Sequence, residues 1–245
     1  MRRNPSVALL LFVCGVAAVS AQSPSADDRA ALVAQRNASD DRASLIQSIE
    51  AKRESYATVA KQIWGFAEVG YQEQKSSGLL QQQLRAAGFQ VKAGVADIPT
   101  AFVATFGSGK PIIGIVGEFD ALPGLSQEAQ TAQRHAIEEN APGHGCGHNL
   151  LGTGALAAAV AVKEWMVASG QKGTLRYYGT PAEEGGSGKV YMVRAGLFSD
   201  VDVAVSWHPG DRNEASPTSS RALVIRSCRS EDFNRRYRSG TSTLS

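Results

Sequence analysis

The run HNLLGTGALAAAVAVKEWMVASG, residues 148–170, decides the fold of this chain. Its length corresponds to about six helical turns, and Gly170 supplies the residue type that commonly ends a helix. The centre of the run is rich in alanine, and such small side chains let a helix pack closely against a neighbouring element. We therefore predict a long helix that lies against a β-sheet.

Short β-type runs separated by glycine and proline surround this helix. They are FQVKAG (89–94), TAFVATF (100–106), PIIGIVGEFD (111–120), GTLRYYGTP (173–181) and VDVAVSWHP (201–209). Apolar spacing predicts further helices over residues 40–64, 73–87 and 186–198, and the polar residues 126–140 are also expected to be helical. Alternation of strands and helices is typical of an α/β fold, so we predict a three-layer sandwich with a mostly parallel sheet.

The two ends of the chain differ from this central part. Residues 1–21 combine two arginines, an apolar run and a small-residue end, which is typical of a secretory signal peptide. The apolar run is too short for a stable membrane span. We expect an exported protein, periplasmic or secreted, with its folded part in residues 22–219. Residues 220–245 are rich in arginine and serine without periodicity and are expected to form an aberrant or disordered tail.

Composition limits the classes of partner. The 245 residues are 43% hydrophobic and 20% charged with a formal net charge of +2, which is ordinary for a globular protein. Nucleic-acid binding would require a concentrated basic face, which this sequence does not indicate. A small-molecule substrate is the expected partner.

Polar side chains follow three of the predicted strands. The strand-end residues are Glu118 and Asp120, then Glu183 and Glu184, then His208. In open α/β sheets, ligands bind beyond the carboxyl ends of the strands. The loop GHGCGHNLLG, residues 143–152, places Cys146 and His148 at the start of the long helix. We therefore expect these groups to share one rim of the sheet.

The residue types at this rim are those of a hydrolytic metal site. A thiolate, imidazoles and carboxylates suit zinc, and imidazole with carboxylate also admits manganese or cobalt. Adjacent glutamates on an extended loop cannot both point the same way. One of Glu183 and Glu184 can bind metal while the other acts as a general base for a water molecule. The sequence therefore predicts one or two divalent ions and hydrolytic chemistry.

Four motifs in this order resemble the aminoacylase/carboxypeptidase-like family of co-catalytic metallopeptidases, in particular its amidohydrolase branch. They are GEFDALPG (117–124), GHGCGHNLLGTG (143–154), TPAEEGGSGK (180–189) and WHPG (207–210), and the resemblance covers about residues 40–218. It implies a metal-dependent amidohydrolase that cleaves linear amides such as N-acyl amino acids or aminobenzoyl-glutamate-type substrates.

The resemblance also implies a role for each site residue. The metal ligands it implies are Cys146, His148, Glu184 and His208, and the general base it implies is Glu183. Glu118 stands where other branches carry a ligand histidine, and Asp120 becomes a carboxylate that supports a ligand from behind.

The sequence departs from the family after residue 218. Members of the family insert a lid and dimerisation domain there, then complete the sheet and supply one more ligand histidine. The histidines of this chain are His135, His144, His148 and His208. The resemblance thus implies a C-terminally truncated chain that carries only the N-terminal part of the catalytic domain. A homodimer or hetero-oligomer is expected only for an intact form with the lid.

Several other interpretations stay open at this point. The chain could be a non-catalytic, metal-binding fragment, or a thiol hydrolase with Cys146 as nucleophile. Taken singly, Cys146 could be a small buried side chain, and Glu183 and Glu184 could be a solvated acidic pair at a helix start. His144 is expected in the loop or facing substrate, His135 on the surface, and Lys189 with Arg194 on a solvated helix face.

Overall fold

The computed structural model describes residues 40–129, 131–208 and 225–226, the last pair by its backbone alone. The signal peptide predicted over residues 1–21 lies outside the described residues, as does the predicted tail apart from residues 225–226. Both stay predictions.

Helices and strands alternate along the described chain. Helix α1 covers residues 40–51, followed by α2 (Arg53–Phe66), α3 (Gln74–Ala86), α4 (His148–Ser169), α5 (Glu183–Gly186) and α6 (Gly188–Arg194). The strands are β1 (Gln90–Ala93), β2 (Phe102–Ser108), β3 (Ile112–Glu118), β4 (Gly173–Thr180), β5 (Val203–Val205) and β6 (Ile225–Arg226). The long helix predicted from residue 148 is confirmed.

The strands form one sheet in the order β1-β2-β4-β3-β5-β6. Strand β3 runs parallel to both β4 and β5, whereas the β1-β2, β2-β4 and β5-β6 pairs are antiparallel. The sheet is therefore mixed rather than mostly parallel. The short link from β1 to β2 allows only an antiparallel pair, since a parallel pair needs a long crossover. The parallel centre is the part that carries the polar strand ends.

Helices cover both faces of the sheet, which confirms the three-layer α/β sandwich. On one face, α2, α3 and α4 pack over a cluster that includes Leu84, Leu156 and Tyr177. On the other face, α6 and residues 95–98 cover a smaller cluster that includes Tyr178 and Met192. Burial of this apolar surface is the main stabilising contribution to the fold.

Close packing of α4 on the sheet depends on its small residues. A Cβ atom at Gly152 would lie 2.5 Å from the backbone oxygen of Glu118, so no larger residue fits without a shift of the helix. The Tyr177 hydroxyl donates a hydrogen bond of 3.1 Å to the Gly152 carbonyl. These contacts fix the start of α4 against the end of β3 and against β4.

Two helix predictions need correction. Residues 126–140 are not helical where they are described. The Gln127 amide instead bonds the Gln133 carbonyl and the His135 N–H across the loop, which satisfies backbone groups that a helix would pair locally. The helix predicted over residues 40–64 is interrupted at Lys52, whose ammonium bonds Ser48 and Glu164.

Helix α4 is the one described helix whose length and composition would allow it to cross a membrane. In this fold, 56% of its apolar window is buried inside the protein. A core helix of a globular domain has the same composition, and α4 packs against β3, β4 and α2 as such a helix does.

Candidate metal centre

The predicted site residues converge at the carboxyl edge of the three parallel strands. Strand β3 ends at Glu118 beside Thr180, the last residue of β4, and β5 leads to His208. Helix α4 begins at His148, directly after Gly147 in the left-handed conformation with φ of 80°. Glycine adopts this conformation without strain, so the loop can turn Cys146 and His148 toward the same rim.

His148 lies at the centre of the site and is fully buried. Its Nδ1 atom is 2.9 Å from Asp120 Oδ1. A carboxylate only accepts hydrogen bonds, so Nδ1 carries the proton and Nε2 presents a lone pair in the neutral ring. Among the described residues Nε2 has no hydrogen-bond partner. The nearest carboxylates are Glu118 at 3.3 Å, Glu184 at 3.8 Å and Glu183 at 3.9 Å.

Asp120 holds His148 from behind and is itself buried. Its Oδ2 atom accepts the Glu184 backbone N–H at 2.8 Å, while Oδ1 bonds His148. Burial tends to raise the pKa of this carboxyl, but the bonds to His148 and to the Glu184 N–H outweigh burial and lower the pKa. Both oxygens of Asp120 are thus engaged in orienting other site residues.

Cys146 and His208 complete a second group of donors around His148. The Cys146 Sγ atom is 3.0 Å from His208 Nε2, and donor atoms of Cys146, His148 and His208 lie within 4.8 Å of one another. Burial and the neighbouring Glu184 carboxylate raise the pKa of the Cys146 thiol to about 11. The thiol is therefore protonated at neutral pH unless a cation lies beside it.

Glu118 and Glu183 form another group with His148, again within 4.8 Å. One Glu118 oxygen faces His148, and the other accepts a hydrogen bond from the Lys189 ammonium. Lys189 therefore forms an ion pair with a nearly buried carboxylate instead of lying on a solvated helix face, as the sequence had suggested. The two adjacent glutamates differ in exposure: the Glu183 side chain is 37% exposed and the Glu184 side chain is 20% exposed.

These donors fit one or two divalent cations. Burial lowers the pKa of His148, but the bond to Asp120 and the surrounding carboxylates outweigh burial and raise the pKa. A positive charge between Nε2 and these carboxylates, either a proton or a metal ion, therefore stabilises the cluster. His148 Nδ1 is bonded to Asp120, so only Nε2 of this ring can bind metal. The group with Cys146 and His208 and the group with Glu118 and Glu183 therefore share His148 Nε2 as a possible ligand atom. The thiol, imidazoles and carboxylates are the ligand types of zinc sites.

His135 and His144 are not among the donor groups of this centre. His144 is buried, and its Nε2 atom is 3.0 Å from the Ile63 carbonyl, so it joins the loop to α2 instead of facing substrate. His135 is exposed and pairs with Glu128.

Sequence reasoning missed two polar side chains near the site, Lys189 and Glu73. Lys189 directly follows the run EEGGSG, which is a weak signal for a contact with Glu118. Glu73 is fully buried beneath the turn that carries Glu183. Nothing in the spacing of its neighbours indicates that position.

Comparisons with known proteins identify similar sequences and folds. Residues 114–234 match peptidase family M20/M25/M40. The chain is 54% identical over 162 residues to a subunit of p-aminobenzoyl-glutamate hydrolase from Escherichia coli (strain K12), covering 66% of this chain and 34% of that protein. The chain thus spans about a third of the length of this relative.

Solved structures share the fold. One is the YXEP protein of Bacillus subtilis, described as a dinuclear metal-binding peptidase from the M20 family, with a TM-score of 0.57 and 20% identity over 66% of this chain and 44% of that chain. Another is an aminobenzoyl-glutamate utilization protein from Klebsiella pneumoniae, with a TM-score of 0.51 and 20% identity over 68% of this chain and 46% of that chain. In both cases the shared part is less than half of the solved chain.

Proposed function

We propose that the chain carries the metal-binding part of an amidohydrolase, because residues 114–234 match peptidase family M20/M25/M40. The substrates proposed are N-acyl amino acids or amides of the aminobenzoyl-glutamate type, on the basis of the Escherichia coli relative's name. One observation carries the proposal: the buried His148 Nε2 lone pair faces three carboxylates and lies beside a thiol and a second imidazole.

Four side chains are proposed to hold one or two divalent ions, with zinc or manganese as the expected metals and cobalt as a substitute. They are Cys146, His148, Glu184 and His208. Such ions supply Lewis-acid polarisation of the scissile carbonyl and lower the pKa of water. Asp120 keeps the proton on His148 Nδ1 and so leaves Nε2 as the donor atom. The same carboxylate holds the Glu184 backbone and directs that side chain to the centre.

Glu183 is proposed as the general base. Its carboxylate lies at the edge of the centre and is the more exposed of the two adjacent glutamates, so it can reach both water and substrate. It takes a proton from the attacking water and passes that proton to the leaving amine nitrogen. Lys189 neutralises part of the negative charge through Glu118.

The test is hydrolysis of p-aminobenzoyl-glutamate by the purified 245-residue chain after loading with Mn²⁺ or Zn²⁺. We expect Glu183→Gln to keep the metal and lose turnover by about a hundredfold or more. If the turnover of Glu183→Gln stays near that of the wild type, Glu183 is not the general base. Bound metal without any turnover in the unaltered chain would favour the second interpretation, a non-catalytic metal-binding fragment.

One contact favours a different enzyme class. The 3.0 Å approach of Cys146 to His208 resembles the thiol–imidazole pair of a cysteine hydrolase. Burial and the carboxylates around Cys146 oppose this role because they raise the pKa of the thiol instead of lowering it. Activity that resists a chelator but is abolished by alkylation of Cys146 would establish the thiol mechanism and refute the metal one.

Export and assembly are also part of the proposal. The composition of residues 1–21 supports export to the periplasm or the medium, and N-terminal sequencing of the secreted chain should begin at Gln22. The Escherichia coli relative is named as a subunit, which supports a hetero-oligomer as an alternative to a homodimer. Size measurements of the chain with and without co-expressed relatives test this point.

A further inference from the structure

A neighbouring turn, residues 68–73, contacts both segments that carry the site carboxylates. We name it the bracing turn. Its Glu68 carbonyl accepts the Ala121 N–H at 2.8 Å, next to Asp120. Its Gly70 lies against Ala182, where an added Cβ would come within 2.9 Å of the Ala182 side chain. The bracing turn thus reaches the residues that directly adjoin Asp120 and Glu183.

Glu73 makes the most specific contact of the bracing turn. It is fully buried, and its Oε1 atom accepts the Ala182 N–H at 2.8 Å. Its Oε2 atom accepts the Thr100 hydroxyl at 3.0 Å. Burying a carboxylate is unfavourable unless hydrogen bonds compensate. Because one oxygen of this buried carboxylate binds the backbone of Ala182, the residue before Glu183, we infer that Glu73 has a role beyond packing.

The backbone at Ala182 explains why such a bond is needed. Ala182 has φ of 52° and ψ of 45°, the left-handed region that a non-glycine residue rarely adopts. Residues in this conformation persist only where their surroundings hold them. The next residues, Glu183 and Glu184, take their directions from this turn. A change at Ala182 would therefore rotate both carboxylates away from His148.

Two further bonds hold the turn that carries Glu183 and Glu184, on the side away from Ala182. Asp120 accepts the Glu184 N–H at 2.8 Å, and the Tyr71 hydroxyl donates to the Gly186 carbonyl. Glu73 thus anchors the turn before its two glutamates, while Asp120 and Tyr71 anchor it at and after them. Of these anchors, Glu73 is a buried carboxylate that has no contact with the proposed ligands.

We propose that Glu73 is a positioning residue of the metal centre, whose buried carboxylate holds Ala182 in its left-handed conformation and thereby sets the directions of Glu183 and Glu184. The proposal rests on the function assigned to those glutamates above. Glu73 touches neither substrate nor metal, and it acts through the backbone. Its effect on the centre should therefore be transmitted entirely by the turn.

The first measurement needs no metal. Hydrogen–deuterium exchange of residues 181–188 is compared among the wild type, Glu73→Ala, Glu73→Gln and the control Ser77→Ala. The Ser77 side chain is also buried and donates to the Thr100 carbonyl, but its hydroxyl bonds Thr100 and Gln81 and not residues 181–188. We expect about tenfold faster exchange in this segment for Glu73→Ala. Glu73→Gln keeps an acceptor oxygen and should restore protection, and Ser77→Ala should leave it unchanged.

The second measurement is Co²⁺ titration of the same proteins, followed by absorbance. Glu73→Ala should weaken Co²⁺ binding by about tenfold or more, as loss of a supporting group commonly does. Glu73→Gln should remain within about threefold of the wild type. In a Glu184→Ala background the Glu73→Ala change should add nothing, because the positioned ligand is already gone.

A second variant covers the case in which Glu73→Ala does not fold. Gly70→Ala removes no hydrogen bond but pushes on Ala182, and it should also speed exchange and weaken Co²⁺ binding. Unchanged exchange and unchanged affinity in Glu73→Ala, or equal losses in Ser77→Ala, would overturn the proposal. A wild-type chain that binds no Co²⁺ would overturn the proposed function instead, while the exchange data would still decide whether Glu73 holds the turn.

Discussion

Replacement of Asp120 by asparagine isolates the charge behind His148 at nearly constant side-chain size. Asp120 uses one oxygen for His148 Nδ1 and the other for the Glu184 N–H; Asp120 and His148 are buried, and Glu184 is half-buried. Asparagine offers a single acceptor oxygen, since its other terminal group is an NH₂ donor. The NH₂ group then faces either the Glu184 N–H, which is also a donor, or His148 Nδ1, which can accept it only if the ring proton moves to Nε2 and removes the lone pair there.

The expected losses of stability and of metal affinity in Asp120→Asn follow from these two hydrogen bonds. Leaving one buried donor unsatisfied costs about 1–3 kcal/mol in the free energy of unfolding. For metal binding, loss of a group that orients a ligand histidine costs about 10–100-fold in affinity, or about 1.4–2.7 kcal/mol at 25 °C. Because Asp120 orients both His148 and Glu184, we expect the upper part of that range.

The assay is Zn²⁺ binding in competition with a chromophoric chelator, together with urea unfolding of the metal-free chain. Asp202→Asn is the matched control. Asp202 likewise accepts a backbone N–H, from Ile112 at 2.7 Å, and pairs with Lys110, but it lies at the opposite end of β3. Equal affinity losses in the two variants, or a normal affinity in Asp120→Asn, would refute the assignment of Asp120.

Three further predictions follow from other contacts. Gly152→Ala should lower the free energy of unfolding, measured in urea, by about 1–3 kcal/mol, because the new Cβ would meet the Glu118 carbonyl. The control Gly78→Ala lies at an open position of α3 and should raise the free energy of unfolding by about 0.5–1 kcal/mol. Lys189→Met removes a positive charge beside Glu118 and should strengthen Mn²⁺ binding several-fold by calorimetry; weaker binding would contradict the electrostatic reasoning. Burial raises the pKa of Glu73, so its contribution to stability is full below its unfolded pKa and is lost as pH rises through the folded pKa. Glu73→Gln should therefore lose less unfolding free energy than the wild type as the pH rises above about 4.5, and parallel curves would refute the assignment.

Local signals were sufficient for the central elements of the fold. The apolar runs before Glu118 and Thr180 and the alanine-rich run after His148 carry their own periodicity and end signals. Their positions follow from the rule that carboxyl ends of parallel strands meet at one edge. For this reason the sequence could indicate which side chains share a rim, although not their distances.

Features set by distant contacts could not be predicted. The loop around Gln127 has a helical composition, but its side chain closes the loop onto residues 133–135. Lys189 turns to Glu118 because left-handed residues on either side of α5 redirect the chain before α6 begins. Glu73 is buried because its turn docks on a segment more than a hundred residues later. Spacing along the chain carries no information about such pairings.

Helix α4 has a consequence for how the protein would respond to its surroundings. Its first residue is the central donor His148, and its next turns fill the main hydrophobic cluster. An ion bound at His148 would therefore stabilise the whole core, by about 2.7 kcal/mol when free ion exceeds the dissociation constant a hundredfold. Resistance to heat and proteolysis would then rise and fall with the supply of metal, so the folded lifetime of the chain would itself report metal availability.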